Sequence, residues 1–147
     1  MRFALCLLIL CLTLALPAHA AADDVVVSVQ VISASKGTAH IDAVVQPLQG
    51  ELLSGFPDYN VFRLVASHEL TASKGKQVAL RLPDNDASEL LVTFLGSQAD
   101  TKMLRLEIGL RGKLAAKVDA RPGSSFFQAG LAYKDGILIL SIKASPV

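Results

Sequence analysis

Tryptophan is absent and aromatic residues make up only 5 % of the 147-residue chain. That leaves little for a carbohydrate-stacking or single-strand nucleic-acid platform, both of which stack rings against their ligands. The only cysteines are Cys6 and Cys11, and both fall in the N-terminal segment. The rest of the chain therefore has no disulfide, no thiolate metal site and no cysteine nucleophile. Excess charge is missing too. Of 14 Lys and Arg against 13 Asp and Glu, Arg2 alone lies in that segment, so the remainder is formally neutral. A neutral surface argues against DNA or an anionic membrane as partner, and it lowers the repulsion that opposes association.

The N-terminal segment has the three parts of an export signal. Arg2 is the cation, Leu5 to Leu16 the apolar run, and Ala18-His19-Ala20 the small-x-small end. The run is shorter than the roughly 20 apolar residues a membrane span needs. The expectation is a signal peptide over residues 1–20, cleaved after Ala20 with Ala22 as the neighbouring option. An uncleaved anchor is the alternative. Leu8-Ile9-Leu10 before Cys11 is not a lipoprotein pattern. Export without disulfides points to a bacterial periplasm more than to an animal extracellular space.

Residues 21–147 read as one β-rich domain. Val25, Val27, Val29 and Val31 occupy alternate positions, while Val26 and Ile32 on the other face suggest a strand covered on both sides. Leu104, Leu106, Ile108 and Leu110 alternate with Arg105, Glu107 and Arg111. Leu114, Ala116 and Val118 follow after a reversal expected at Gly109-Leu110-Arg111-Gly112. Tyr59 to Ala66, Gln77 to Leu82 and Ser88 to Leu95 are three further strand candidates. Pro83-Asp84-Asn85-Asp86 is a polar turn. In the last hairpin, Phe126 to Tyr133 and Ile137 to Ala144 flank Lys134-Asp135-Gly136, where Asp-Gly is expected to supply the positive backbone dihedrals. Residues Asp42 to Ser54 differ, with apolar residues near helical spacing, Pro47 in a first turn and Gly55 to close it. The predicted fold is all-β, an antiparallel sandwich or partly open barrel of about seven or eight strands with one short helix. An α+β description is the alternative.

Ser33-Ala34-Ser35-Lys36-Gly37 returns as Thr71-Ala72-Ser73-Lys74-Gly75. The residues after each copy do not match, which favours two similar solvated turns over a duplicated half-domain.

Catalytic patterns are wanting. His40 and His68 have no second histidine or cysteine at ligand spacing. Gly123-Ser124-Ser125 lacks the Gly-x-Ser-x-Gly of a nucleophile turn. Asp84, Asp86, Ser88 and Glu89 alternate as oxygen ligands but lack the glycine and distal glutamate of a calcium loop. No cofactor or metal is predicted. Two residue sets remain as binding candidates. Arg63, Arg81, Arg105 and Arg111 are expected to face outward, either as a basic stripe for an anion or in cross-strand pairs with Glu69, Glu89 and Glu107. Phe126, Phe127, Tyr133 and Ile137 are candidates for contact with a protein partner or a second copy, with core packing as the competing use.

The chain resembles a group of small exported proteins of deltaproteobacterial type. Ile41-Asp42, then Phe56-Pro57-Asp58-Tyr59-Asn60-Val61-Phe62-Arg63-Leu64, carries the first part of the likeness. Gly75-Lys76 with Leu82-Pro83 carries the second. Pro122-Gly123-Ser124 and Gly130 through Tyr133-x-Asp135-Gly136-Ile137 to Ile142 carry the third. The chain departs from the pattern at Asn85-Asp86, where Asn-Gly is expected, and at Gln128-Ala129-Gly130, where paired glycines are usual. The resemblance implies an envelope protein and supplies no activity. The functional expectation is a non-enzymatic periplasmic or secreted interaction or structural module, part of an envelope assembly, with a small-ligand binder for an anion or lipid as the alternative. An enzyme built on carboxylates is a third.

Overall fold

The computed structural model describes residues 24–110, 113 and 115–147, so the expected signal segment, Arg111, Gly112 and Leu114 lie outside the described residues. The strands are β1 (Asp24–Ser35), β2 (His40–Ile41), β3 (Val61–Ser73), β4 (Gln77–Arg81), β5 (Glu89–Ser97), β6 (Leu104–Leu110), β7 (Ala116–Ala120), β8 (Ser125–Tyr133) and β9 (Gly136–Pro146). A 3-10 turn, Gln46–Leu48, runs into the one helix, α1 (Gln49–Gly55). The fold is an all-β sandwich, open along one side, with one short helix. One sheet has the order β2-β3-β1-β9-β8 and the other β4-β5-β6-β7.

The alternating pattern builds both layers. Val25, Val27, Val29 and Val31 on β1 face the space between the sheets with Leu138, Leu140 and Ile142 of β9. Leu90, Val92, Phe94, Leu104 and Leu106 meet them from the second sheet. Ile32 and Ala34 point the other way, to the outer face of the five-stranded sheet. There they join Phe62, Ile139, Val45 and Leu52 in a second cluster beneath α1. A seven-residue helix is too short to be stable by itself. Full burial of Ile32, Leu52, Phe62 and Ile139, at about 1.5–3 kcal/mol per side chain, is what holds it.

Two bulges let strands serve both clusters. On β3, Ile32 pairs with Leu64 but Val31 pairs with Ala66, so Val65 is an extra residue. Phe62 and Leu64 therefore face the helix, while Ala66, Leu70 and Ala72 face the sandwich interior. On β8, Ala129 pairs with Ile139 and Leu131 with Leu138, leaving Gly130 as the extra residue at φ +112°. Its effect is to turn Leu131 and Tyr133 to the same side as Phe126.

The helix differs from its expected bounds because Pro47 lies in the 3-10 turn and α1 begins only at Gln49. The final hairpin also differs in its turn. Tyr133 pairs with Gly136, so the loop is Lys134-Asp135, and the positive φ (49°) falls on Lys134. Gly136 is instead a strand residue needed for space, because a Cβ there would run into the carbonyl oxygen of Ala34. Both Ser-Lys-Gly copies lie where a strand, β1 or β3, runs out into a turn.

Candidate functional site

Pairing register separates the candidate arginines. Arg63 is on β3 in the five-stranded sheet, whereas Arg81 and Arg105 belong to the other sheet. Arg81 stands opposite Glu89, and Arg105 opposite Gly96, near the two ends of β5. At about 3.3 Å per residue, they are roughly 20 Å apart. No basic stripe forms from these three, and Arg111 lies outside the described residues. The competing expectation fits Arg81 and Glu89 as register partners. Arg105 takes an acid outside the expected set of glutamates, since its Nε–H donates to Asp119 Oδ1 at 3.0 Å. That pair holds the Asp119 carboxyl below its ordinary value and the guanidinium above its own. Both side chains are nearly half exposed, where an ion pair adds little stability.

The four contact candidates do not form one patch. Phe126 and Tyr133 pack on the core between the sheets, while Phe127 and Ile137 pack on the cluster under α1. Phe127 meets Phe56 edge-on, ring centroids 6.2 Å apart. All four are half-buried, each packed on one side against its cluster and reached by solvent on the other. Among the described residues, the large apolar side chains that stand exposed are Val44, Leu53 and Val147.

Asp42 has a role that sequence reasoning missed. β2 runs parallel to β3 for two residues only, then Asp42 N–H donates to Phe62 O at 3.0 Å. Its side chain continues the ladder, Oδ2 accepting Leu64 N–H at 2.8 Å. Oδ1 accepts from His40 Nε2 at 2.7 Å. The His40 bond, followed by the Leu64 N–H, holds this carboxyl below its ordinary value, with weaker help from Arg63. The carboxylate thus covers a sheet edge that would otherwise be open to pairing.

The 82–88 loop is likewise committed. Asp84, 7 % exposed, accepts Ser88 N–H and Ser88 Oγ–H, each at 2.6 Å. Asn85 N–H donates to Ala132 O and Asn85 Oδ1 accepts Lys134 N–H, both at 3.0 Å. The asparagine therefore ties the loop to the last hairpin. Among the described residues no group of three or more His, Cys, Asp or Glu is placed to hold a metal.

That hairpin closes a cleft of about 460 Å³ at the end of the curled sheet. Ser33 and Ser35 of β1, Arg63 and the Val65 bulge of β3, and Tyr133 to Gly136 line it. One residue from each candidate set, Arg63 and Tyr133, meets here. Lys134 sits with its ammonium 5.3 Å from the Tyr133 ring centroid, a cation–π contact. Neither Arg63 nor Lys134 forms an ion pair with a described residue, although Arg63 is near enough to Asp42 to help hold its carboxyl down. Against these two cations the cleft carries one carboxylate, Asp135. The bulge at Val65 turns β3 just where Arg63 enters, and the Gly136 approach brings Lys134 to the opposite wall. Sequence did hold a signal: the inward row of valines ends at Val31 and continues as Ser33 and Ser35, so the interior becomes polar there.

Among the described residues no helix is long and apolar enough to cross a membrane. No family model, curated protein or solved structure matches this chain.

Proposed function

We propose that this protein is a non-catalytic binding module of the bacterial envelope, exported by its N-terminal segment, that takes an anionic group in the Arg63–Lys134 cleft. The observation that carries this reading is that Arg63 and Lys134, neither in an ion pair with a described residue, line one concavity together with Ser33, Ser35 and Tyr133. A guanidinium offers a planar fork of donors and an ammonium a mobile point charge, a pairing suited to carboxylate or phosphate oxygens. The proposed kinship with small exported deltaproteobacterial proteins belongs to the same reading. Its non-catalytic part rests on commitments: His40 is bonded to Asp42, and the Ser33 hydroxyl points at Arg63 O, so neither is arranged as a nucleophile with its base.

Isothermal titration of residues 21–147 with citrate, pyrophosphate and a hexaglutamate peptide tests the cleft. Saturable binding of at least one is expected, weakened about tenfold or more in Arg63→Ala/Lys134→Ala through loss of charge-assisted bonds. Binding should raise the melting temperature, by about 2.7 kcal/mol of stabilisation at a hundredfold excess over Kd. Absence of saturable binding, or binding that the double variant retains in full, refutes the reading. Sequencing the N-terminus of the exported form tests the envelope assignment, with Ala21 expected first.

A further inference from the structure

The sheets end at β2 and β8 on one side of the sandwich and at β4 and β7 on the other. An edge strand left bare invites another chain to pair with it, so folded proteins blunt it by shortness, charge or a bulge. β2 is two residues long, and beyond it the Asp42 carboxylate takes the Leu64 N–H. β4 ends on Arg81, and β7 carries Lys117 and Asp119. β8 is different. It is protected only towards its C-terminal end, by the Gly130 bulge and by Asn85 N–H, which donates to Ala132 O at 3.0 Å. The stretch before the bulge, Ser125-Phe126-Phe127-Gln128-Ala129, has neither charge nor proline. Ser125, Gln128 and Ala129 stand exposed, and no described backbone group bonds this stretch from its outer side.

We propose that this stretch of β8 is where a second copy of the chain docks, antiparallel and edge to edge, joining the two five-stranded sheets into one. Backbone direction supplies the register. Tyr133 and Gly136 close a two-residue loop, so they form a hydrogen-bonded pair, and hydrogen-bonded pairs then alternate along β9. Leu138, Leu140 and Ile142 therefore bond towards β8, and their partners Leu131, Gln128 and Phe126 bond back. Ser125, Phe127 and Ala129 turn N–H and C=O to the free edge. A two-fold axis at Phe127 sets Ser125 opposite Ala129 of the second copy, Phe127 opposite its own counterpart and Ala129 opposite Ser125. Every outward group then meets another outward group. A slip of one residue puts them against groups already bonded to β9, and a slip of two runs into the bulge or the turn before Ser125. The strand is thus complementary to itself, as an isologous dimer contact must be. It also places the half-exposed Phe127 rings across from each other, a favourable cross-strand pair. The formal neutrality of residues 21–147 leaves little repulsion between copies, and an acidic or basic strand would find no opposite charge here.

Sedimentation equilibrium of residues 21–147 across a concentration series is the test, with a monomer–dimer equilibrium expected. Ser125→Lys/Ala129→Lys changes two exposed positions and sets lysine against lysine at both ends of the contact. It should weaken the dimer about tenfold or more. Ser125→Glu/Ala129→Lys sets opposite charges in the same places and should associate at least as tightly as the parent. Because residues 21–147 have no cysteine, disulfide trapping reads the register. Ser125→Cys mixed with Ala129→Cys should cross-link on oxidation, the paired Cα atoms being about 5.5 Å apart, and neither variant should cross-link alone. A monomer at every concentration overturns the proposal and leaves the edge to a strand from another protein. A dimer that ignores both charge variants overturns it as well, by placing the contact elsewhere.

Discussion

Replacing Gly136 by alanine adds one methyl group at the rung where β9 begins, against the carbonyl of Ala34. The Cβ would overlap that oxygen and nearly touch the carbon behind it, at 3.0 Å. Backbone cannot swing aside as a side-chain tip can, so β9 and β1 must part by roughly an ångström at this point to regain van der Waals contact. Overpacking of this kind costs about 1–3 kcal/mol. A ladder hydrogen bond stretched beside it adds about 1 kcal/mol. At roughly 4 °C per kcal/mol for a domain of this size, the melting temperature should fall by about 8–15 °C. Gly50→Ala is the matched control. It lies in α1 with nothing within 4 Å of its would-be Cβ, and the same methyl group should stabilise there by up to about 1 kcal/mol. Differential scanning calorimetry of the two variants reads the contrast directly. Gly136→Ala melting within about 2 °C of the parent would show that the close approach is not a constraint of the fold. The Lys134 wall of the cleft depends on the same approach, so this variant should also weaken citrate or pyrophosphate binding.

Phe62→Ala empties the centre of the cluster under α1, where Phe62 is fully buried. A loss of about 3–5 kcal/mol in urea denaturation is expected, with amide exchange rising first in residues 46–55. Asp84→Ala leaves Ser88 without its acceptor and should cost about 2 kcal/mol, loosening Asn85 from the last hairpin, as heteronuclear NOEs would report. Acid should also act through Asp42 and Asp119. Both carboxyls are held below their ordinary values in the folded chain, so their contribution is complete above about pH 4–5 and is lost as pH falls through the lowered values. Asp42→Asn/Asp119→Asn should flatten the acid limb of stability against pH. An acid limb as steep as the parent's would assign the effect to other groups.

The apolar alternation along β1, β6 and β9 determined most of the architecture, because a period-two row is useful only to a strand with something to cover. Runs apolar on both faces, as at Ile137 to Leu140, marked a central strand, and Val26 with Ile32 a strand covered on both sides; that α1 covers the second face was decided by the tertiary structure. Position within the sheets was another matter. Arg63, Arg81 and Arg105 look equivalent as outward residues, but register and sheet order scatter them, and those are set by pairings between distant segments. The bulges at Val65 and Gly130 have no local mark beyond one glycine, yet they decide which face each later residue serves. Asp42 reads as an ordinary acid until β3 is laid beside β2 and its carboxylate becomes a rung of the ladder. The Arg63–Lys134 cleft follows the same rule. Its serines and cations are visible in the sequence, but convergence of residues as far apart as Ser33, Arg63 and Lys134 exists only once the strands are in order.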